Sequence, residues 1–143
     1  HNARRDDRII FTGFVNWTEL HTYYGMSDIF MTCSLSEMHS MTILEALLSG
    51  LPVAVRWDSS YLDTVYPGEN GYLCETDEDV ERAILELVDD QAKRKSFGNK
   101  SREISLNFTI AKHVDKTISF YKTVLAHYPR PLDEAELRKA VED

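Results

Sequence analysis

With 143 residues, 43% of them hydrophobic, the chain has the length of one domain, can bury a core and is too apolar for a disordered tail. Its 16 lysines and arginines face 24 aspartates and glutamates, a formal charge of -8 that argues against nucleic acid as a partner, because phosphate binding needs a basic face. Cys33 and Cys74, the only cysteines, each sit in an apolar run without disulfide or zinc spacing, so two small buried thiols in a reducing compartment are expected.

The chain opens on His1 with no methionine, which reads as a tag remnant or the cut end of something longer. Arg8 to Gly13, RIIFTG, is a β-branched and aromatic run closed by glycine, the pattern of a buried strand. Trp17, Leu20, Tyr23 and Tyr24 then recur at helical spacing, with Asn16 or Thr18 placed to cap and Gly25 to end the helix. Asp28 to Ser34, DIFMTCS, is a second strand-length apolar run, as expected where both sheet faces are covered.

A helix beginning near Ser40 to Thr42 and ending at Gly50 comes next, with Ile43, Leu44, Leu47 and Leu48 on one face. Pro52 to Val55 forms a third strand, Asp58 to Val65 a short helical turn capped by Asp58, Ser59 or Ser60, and Pro67 to Gly71 a turn into a fourth strand at Tyr72 to Cys74. The apolar stretch around Leu44 to Val55 is interrupted by Ser49, Gly50 and Pro52, too short to span a bilayer.

From Asp77 the pattern is helical alone. Asp77 caps a helix that buries Val80, Ala83, Ile84, Leu87 and Val88, a second runs from Gln91 to Ser105, and Thr109 caps a third with Ile110, Val114, Ile118, Tyr121, Val124 and Leu125 inward. His127 to Pro131 is a proline-stiffened linker, and Asp133 to Glu142 a charged helix with only Leu132, Leu137 and Val141 to dock. Alternating strands and helices followed by helices imply an α/β fold with a parallel sheet and a helical C-terminal cover. Four strands are fewer than the roughly five or six usual, so the sheet looks incomplete on its N-terminal side.

Chemistry concentrates in Ser36 to Val53, SEMHSMTILEALLSGLPV, where Glu37 follows a strand and Glu45 lies inside the next helix, off its apolar face and free to reach a ligand. Each carboxylate can accept two hydrogen bonds from vicinal hydroxyls, so the pair suits a ligand with two separated diols. The unpartnered amides at the helix start, with their partial positive charge, suit a diphosphate between them. A turn residue and a solvated helix residue explain the spacing equally well.

The stretch resembles the glutamate, seven residues, glutamate signature of GT-B fold retaining glycosyltransferases of the large family 4 type. The resemblance extends to RIIFTGFV, YYGMSDIFMTCS, DTVYPGENGYLCETDEDV, LELVDDQAKRKSFGNKSREIS and FYKTVL, covering about residues 8 to 125. It implies a Rossmann-like parallel sheet with its N-terminal strands missing, and a division into a partial nucleotide-sugar-binding domain, residues 8–127, and a linker with a short helix, residues 128–143. It also implies a nucleotide diphosphate sugar donor and a hydroxyl acceptor. Glu37 would contact the donor sugar hydroxyls and Glu45 the ribose, the backbone of His39, Ser40, Met41 and Thr42 would face sugar and diphosphate, and Gly13, Phe14 and Val15 would line the base.

The wording is most like bacterial enzymes that glycosylate diacylglycerol lipids, which implies a cytoplasmic protein with peripheral contact at the inner face of the membrane. The family's glycine, aromatic, glycine is replaced by Met38, His39 and Ser40, so a side chain stands where glycine admits close backbone approach. His39 could act as acid or base, although a loop residue filling the aromatic position carries more weight. The family's basic diphosphate-binding pair and its acceptor domain lie upstream; Arg4, Arg5 and Arg8 stand too close to the strand to be that pair. The chain therefore reads as the C-terminal half or more of a donor domain, inactive alone.

No metal or cofactor site is legible. Met26, Met31, Met38 and Met41 read as packing, Tyr23 and Tyr24 as core, and the Lys93, Arg94, Lys95 cluster as a solvated helix face before an anionic-lipid contact. A nucleotide-sugar-binding module without transfer, or an assembly domain using an open sheet edge, remain the alternatives.

Overall fold

Strand and helix in short alternation bring each new strand back in the direction of the last, and the computed structural model, which describes residues 6–38, 40–128 and 133–142, is built on such a parallel sheet. Helix α1 (Trp17–Met26) leads to strand β1 (Phe30–Thr32), helix α2 (Met41–Leu48) and strand β2 (Val53–Arg56). A 3-10 turn at Ser59–Tyr61 precedes strand β3 (Gly71–Cys74), and helices α3 (Asp77–Asp89), α4 (Gln91–Ser105), α5 (Ile110–His127) and α6 (Glu134–Glu142) complete the chain. The order is β1-β2-β3, with Phe30 opposite Val53 and Val53 opposite Gly71.

β2 is the centre of the molecule, since Val53, Ala54 and Val55 are wholly buried. The two-residue period of a strand sends Val53 and Val55 to one face, against Ile43, Leu47, Tyr61, Val65 and Ile104, and Ala54 to the other, against Val80, Ala83 and Cys74. Each buried valine contributes about 1.5–3 kcal/mol. α2 and α4 thus cover one face of β2 and α3 the other, whereas β1, whose near-continuous apolar run implied two covered faces, leaves Met31 exposed. Buried Asn70 ties the entry to β3, its Oδ1 accepting from the Tyr66 amide at 2.7 Å and its Nδ2 donating to the Thr64 carbonyl at 3.0 Å.

The first of the four expected strands, Arg8 to Gly13, is absent. Residues 8–13 run irregularly, with Ile9, Ile10 and Phe11 exposed and the Ile9 amide bonded to the Asp6 carbonyl at 2.9 Å. An apolar run becomes a strand only beside a ladder partner. β1 forms one edge of the sheet, with β2 as its neighbour. That edge is unpaired among the described residues.

Several faces differ from expectation. α1 is capped by Asn16, whose Oδ1 accepts from the Thr18 amide at 3.1 Å, yet it buries no residue and Trp17 lies exposed. It runs through Gly25 to Met26 rather than ending there. α2 buries Ile43, Ala46 and Leu47 while Leu48 points to solvent, because the helix seats on α4 and the small Ala46 permits the approach. In α3 Val88 is exposed, and Thr76 rather than Asp77 caps the helix, in a reciprocal box with Asp79.

α5 keeps its Thr109 cap, but Ile110, Val114, Ile118, Tyr121, Val124 and Leu125 are not buried, since α5 meets mainly α6 and the Leu106–Phe108 turn. Leu132, and the side chains of Leu137 and Val141, lie outside the described residues, as do Arg4 and Arg5. Cys33 and the four methionines are exposed, against the packing expected of them, and Cys74 is buried. Among the described residues no helix is long and apolar enough to cross a membrane.

Two carboxyls of α3 make the stability of this fold depend on pH. Hydrogen bonds from the Thr76 hydroxyl and amide, with Arg82 nearby, hold the Asp79 carboxyl below its ordinary range, and Lys93 followed by Tyr72 does the same for Glu86. A carboxyl depressed in the native state stabilises it above the unfolded value and ceases to as pH falls through the native one. The thermal midpoint should therefore drop as pH falls below about 4. Asp79→Asn should flatten that dependence in a pH series of melts.

Candidate active site at the carboxyl edge of the sheet

Parallel strands deliver their carboxyl ends to one edge, so the loops after β1 and β2 meet there. The first, residues 33–40, carries Glu37, which is half-buried and whose carboxylate accepts no hydrogen bond among the described residues. The second holds Asp58, which caps the 3-10 turn by accepting from the Ser60 amide at 2.8 Å, and Tyr61 behind it. Tyr61 is wholly buried with an unpartnered hydroxyl. Burial pushes that hydroxyl up to about 12, and the charges of Glu37 and then Asp58 act in the same direction, so both carboxylates overlook it.

Helix α2 starts beside this loop. Ser40 occupies its N-cap position in ordinary extended backbone, φ -78° and ψ 102°, which no glycine is needed to adopt. Instead of capping an amide, the Ser40 hydroxyl bonds the Thr42 hydroxyl at 2.9 Å. The first amides of α2 thus carry no side-chain cap from Ser40 and keep their partial positive charge. Ser40 is nearly buried, whereas the side chains of Met41 and Thr42 are exposed. His39 lies outside the described residues.

Glu45 sits further along α2, half-buried, and is less free than its spacing suggested. Its Oε2 accepts a hydrogen bond from the Tyr24 hydroxyl at 2.9 Å, a bond that joins α1 to α2. Burial, followed by the bond to Glu45 and its charge, pushes the Tyr24 hydroxyl up to about 12. Tyr24 was legible in the sequence only as a core aromatic, since nothing in its spacing marks a partner 21 residues away.

The third group of expected site residues is Gly13, Phe14 and Val15. Gly13 adopts φ 66°, Phe14 is 96% exposed and Val15 half-buried, and no hydrogen bond among the described residues joins them to Glu37, Glu45 or the start of α2. A cleft of about 630 Å³ is lined by Tyr24 and, among others, Asp28, Gly50, Arg94, Lys95 and Arg102. Its arginines serve helix ends: Arg94 donates to the Leu87 and Val88 carbonyls and Arg102 to that of Ser49. With Lys93 paired to Glu86, only Lys95 of the basic cluster is uncommitted among the described residues.

Known proteins are similar to this chain in sequence. The α-monoglucosyldiacylglycerol synthase of Streptococcus pneumoniae is 28% identical over 138 residues, 86% of this chain and 31% of that protein. The enzyme of the same name from Acholeplasma laidlawii is 32% identical over 75 residues, 52% of this chain and 19% of its own length. The N-acetyl-α-D-glucosaminyl L-malate synthase of Bacillus anthracis is 28% identical over 128 residues, 87% and 33% respectively. The chain thus spans about a fifth to a third of the length of these relatives. Residues 1–104 match the model of the glycosyl transferases group 1, and the chain belongs to that family.

Proposed function

We propose that the chain is part of the donor-binding domain of a retaining glycosyltransferase, which moves a sugar from a nucleotide diphosphate sugar to a hydroxyl acceptor. The observation that carries this reading is the pair Glu37 and Glu45 set on either side of the uncapped start of α2. Glu37 accepts from donor sugar hydroxyls, and Glu45 accepts from the ribose through the oxygen sites that Tyr24 leaves open. The amides of Met41 and Thr42 point at the leaving diphosphate. As the glycosidic bond lengthens, negative charge grows on that diphosphate and positive charge on the sugar; oriented amides stabilise the first and the Glu37 carboxylate lies near the second.

The acceptor reading is finer. The synthases of Streptococcus pneumoniae and Acholeplasma laidlawii are named for diacylglycerol products, which supports a lipid acceptor met at the inner membrane face by peripheral contact. Most of the acceptor site and the cations for the diphosphate would then be supplied upstream of residue 8.

Titration of the full-length protein with UDP-glucose, UDP-galactose, GDP-mannose and ADP-glucose tests the donor reading. One of them should bind saturably, and Glu37→Ala and Glu45→Ala should each weaken it by about tenfold or more, the scale of a hydrogen bond to a charged group. Absence of saturable binding across the panel would remove the reading.

A further inference from the structure

The bond between Tyr24 and Glu45 is the one side-chain hydrogen bond by which α1 reaches another element among the described residues. No residue of α1 is fully buried, and only Leu20 and Tyr24 are half-buried. The Tyr24 ring is fixed independently, 6.2 Å from the ring of Phe30 and tilted 43° to it, against the main core. Phe30 opens β1, the strand whose far end leads into the Glu37 loop. The tyrosine is therefore referenced to the sheet at its ring and to the α2 carboxylate at its hydroxyl.

A glutamate side chain has three rotatable bonds, and a vicinal diol is held well only by a carboxylate already turned to meet it. We infer that Tyr24 is a positioning residue for ribose recognition: by donating to Oε2 of Glu45 it fixes the carboxylate's rotation so that its remaining acceptor sites meet the two ribose hydroxyls together. A carboxylate offers about four lone-pair sites and the tyrosine takes one, so ligand and tyrosine do not compete. This inference rests on the proposed donor reading.

Binding of UDP, GDP and ADP to the full-length protein, each beside its 2′,3′-dideoxy counterpart, provides the test. For whichever base binds, Tyr24→Phe keeps the ring and should weaken the ribonucleotide about three- to tenfold while leaving the dideoxynucleotide unchanged. Added to Glu45→Gln, it should cost nothing further, because the positioned group is already altered. Equal weakening of both nucleotides, no weakening of either, or a Tyr24→Phe protein that fails to fold by circular dichroism would make the hydroxyl a structural strut or a bystander and overturn the inference. The donor reading fails separately, and the inference with it, if Glu45→Gln binds ribo- and dideoxynucleotides as the unaltered protein does or if no nucleotide binds.

Discussion

Gly71→Ala should cost about 3 kcal/mol or more of folding stability, a large share of the roughly 5–15 kcal/mol that a domain of this kind holds. Gly71 opens β3 opposite Val53, and a Cβ there would fall far inside contact distance of the Val53 carbonyl oxygen and Cγ2. The obstruction is the backbone of the central strand, which cannot yield without disturbing both ladders. Gly98 poses the same problem in α4, where an added Cβ would meet the Gly50 carbonyl oxygen at the end of α2. Glycine to alanine inside a helix ordinarily stabilises by about 1 kcal/mol, so a destabilising Gly98→Ala isolates the steric cost. Gly25, in α1 with open space around it, supplies the control: Gly25→Ala should raise stability. Urea unfolding of the three variants checks the ordering; a Gly71→Ala protein as stable as the original would show that β2 and β3 can part freely.

Glu37→Gln in the full-length protein should lower the transfer rate by about a hundredfold or more while leaving the melting temperature close to its original value. The amide keeps the size and hydrogen-bonding reach of the carboxylate but removes its charge, so ground-state binding of the sugar suffers less than the transition state. Stability should be spared because the carboxylate accepts no bond from the described fold. Single-turnover transfer rates beside donor affinity make the measurement. An unchanged rate with weakened affinity would assign Glu37 to binding alone, and an unchanged rate and affinity would take it out of the site.

The sequence revealed those parts of the fold whose signals are local. Asn16 and Asp58, each among the caps that side-chain chemistry offered, and Thr109 cap their helices, and the strand expected at Pro52 to Val55 forms and is buried. Errors arose where a pattern needs a partner to become structure. RIIFTG has strand composition without a neighbouring strand, and the apolar face of α5 has helical spacing with nothing described over it. The glutamate positions were legible from spacing and motif, but not the tether on Glu45, because a hydrogen bond from a residue on another helix leaves no mark on periodicity.

The unpaired side of β1 has a consequence for handling the protein. That side has no ladder partner among the described residues, and the same chain exposes Ile9, Ile10, Phe11 and Phe14. Such an edge is a template for any extended chain that meets it, and exposed apolar residues on the same chain raise the chance of a meeting. Concentrated samples of the chain expressed by itself are therefore set to aggregate edge to edge, and a lysine introduced at Met31, the exposed midpoint of β1, is the substitution most suited to keep them apart.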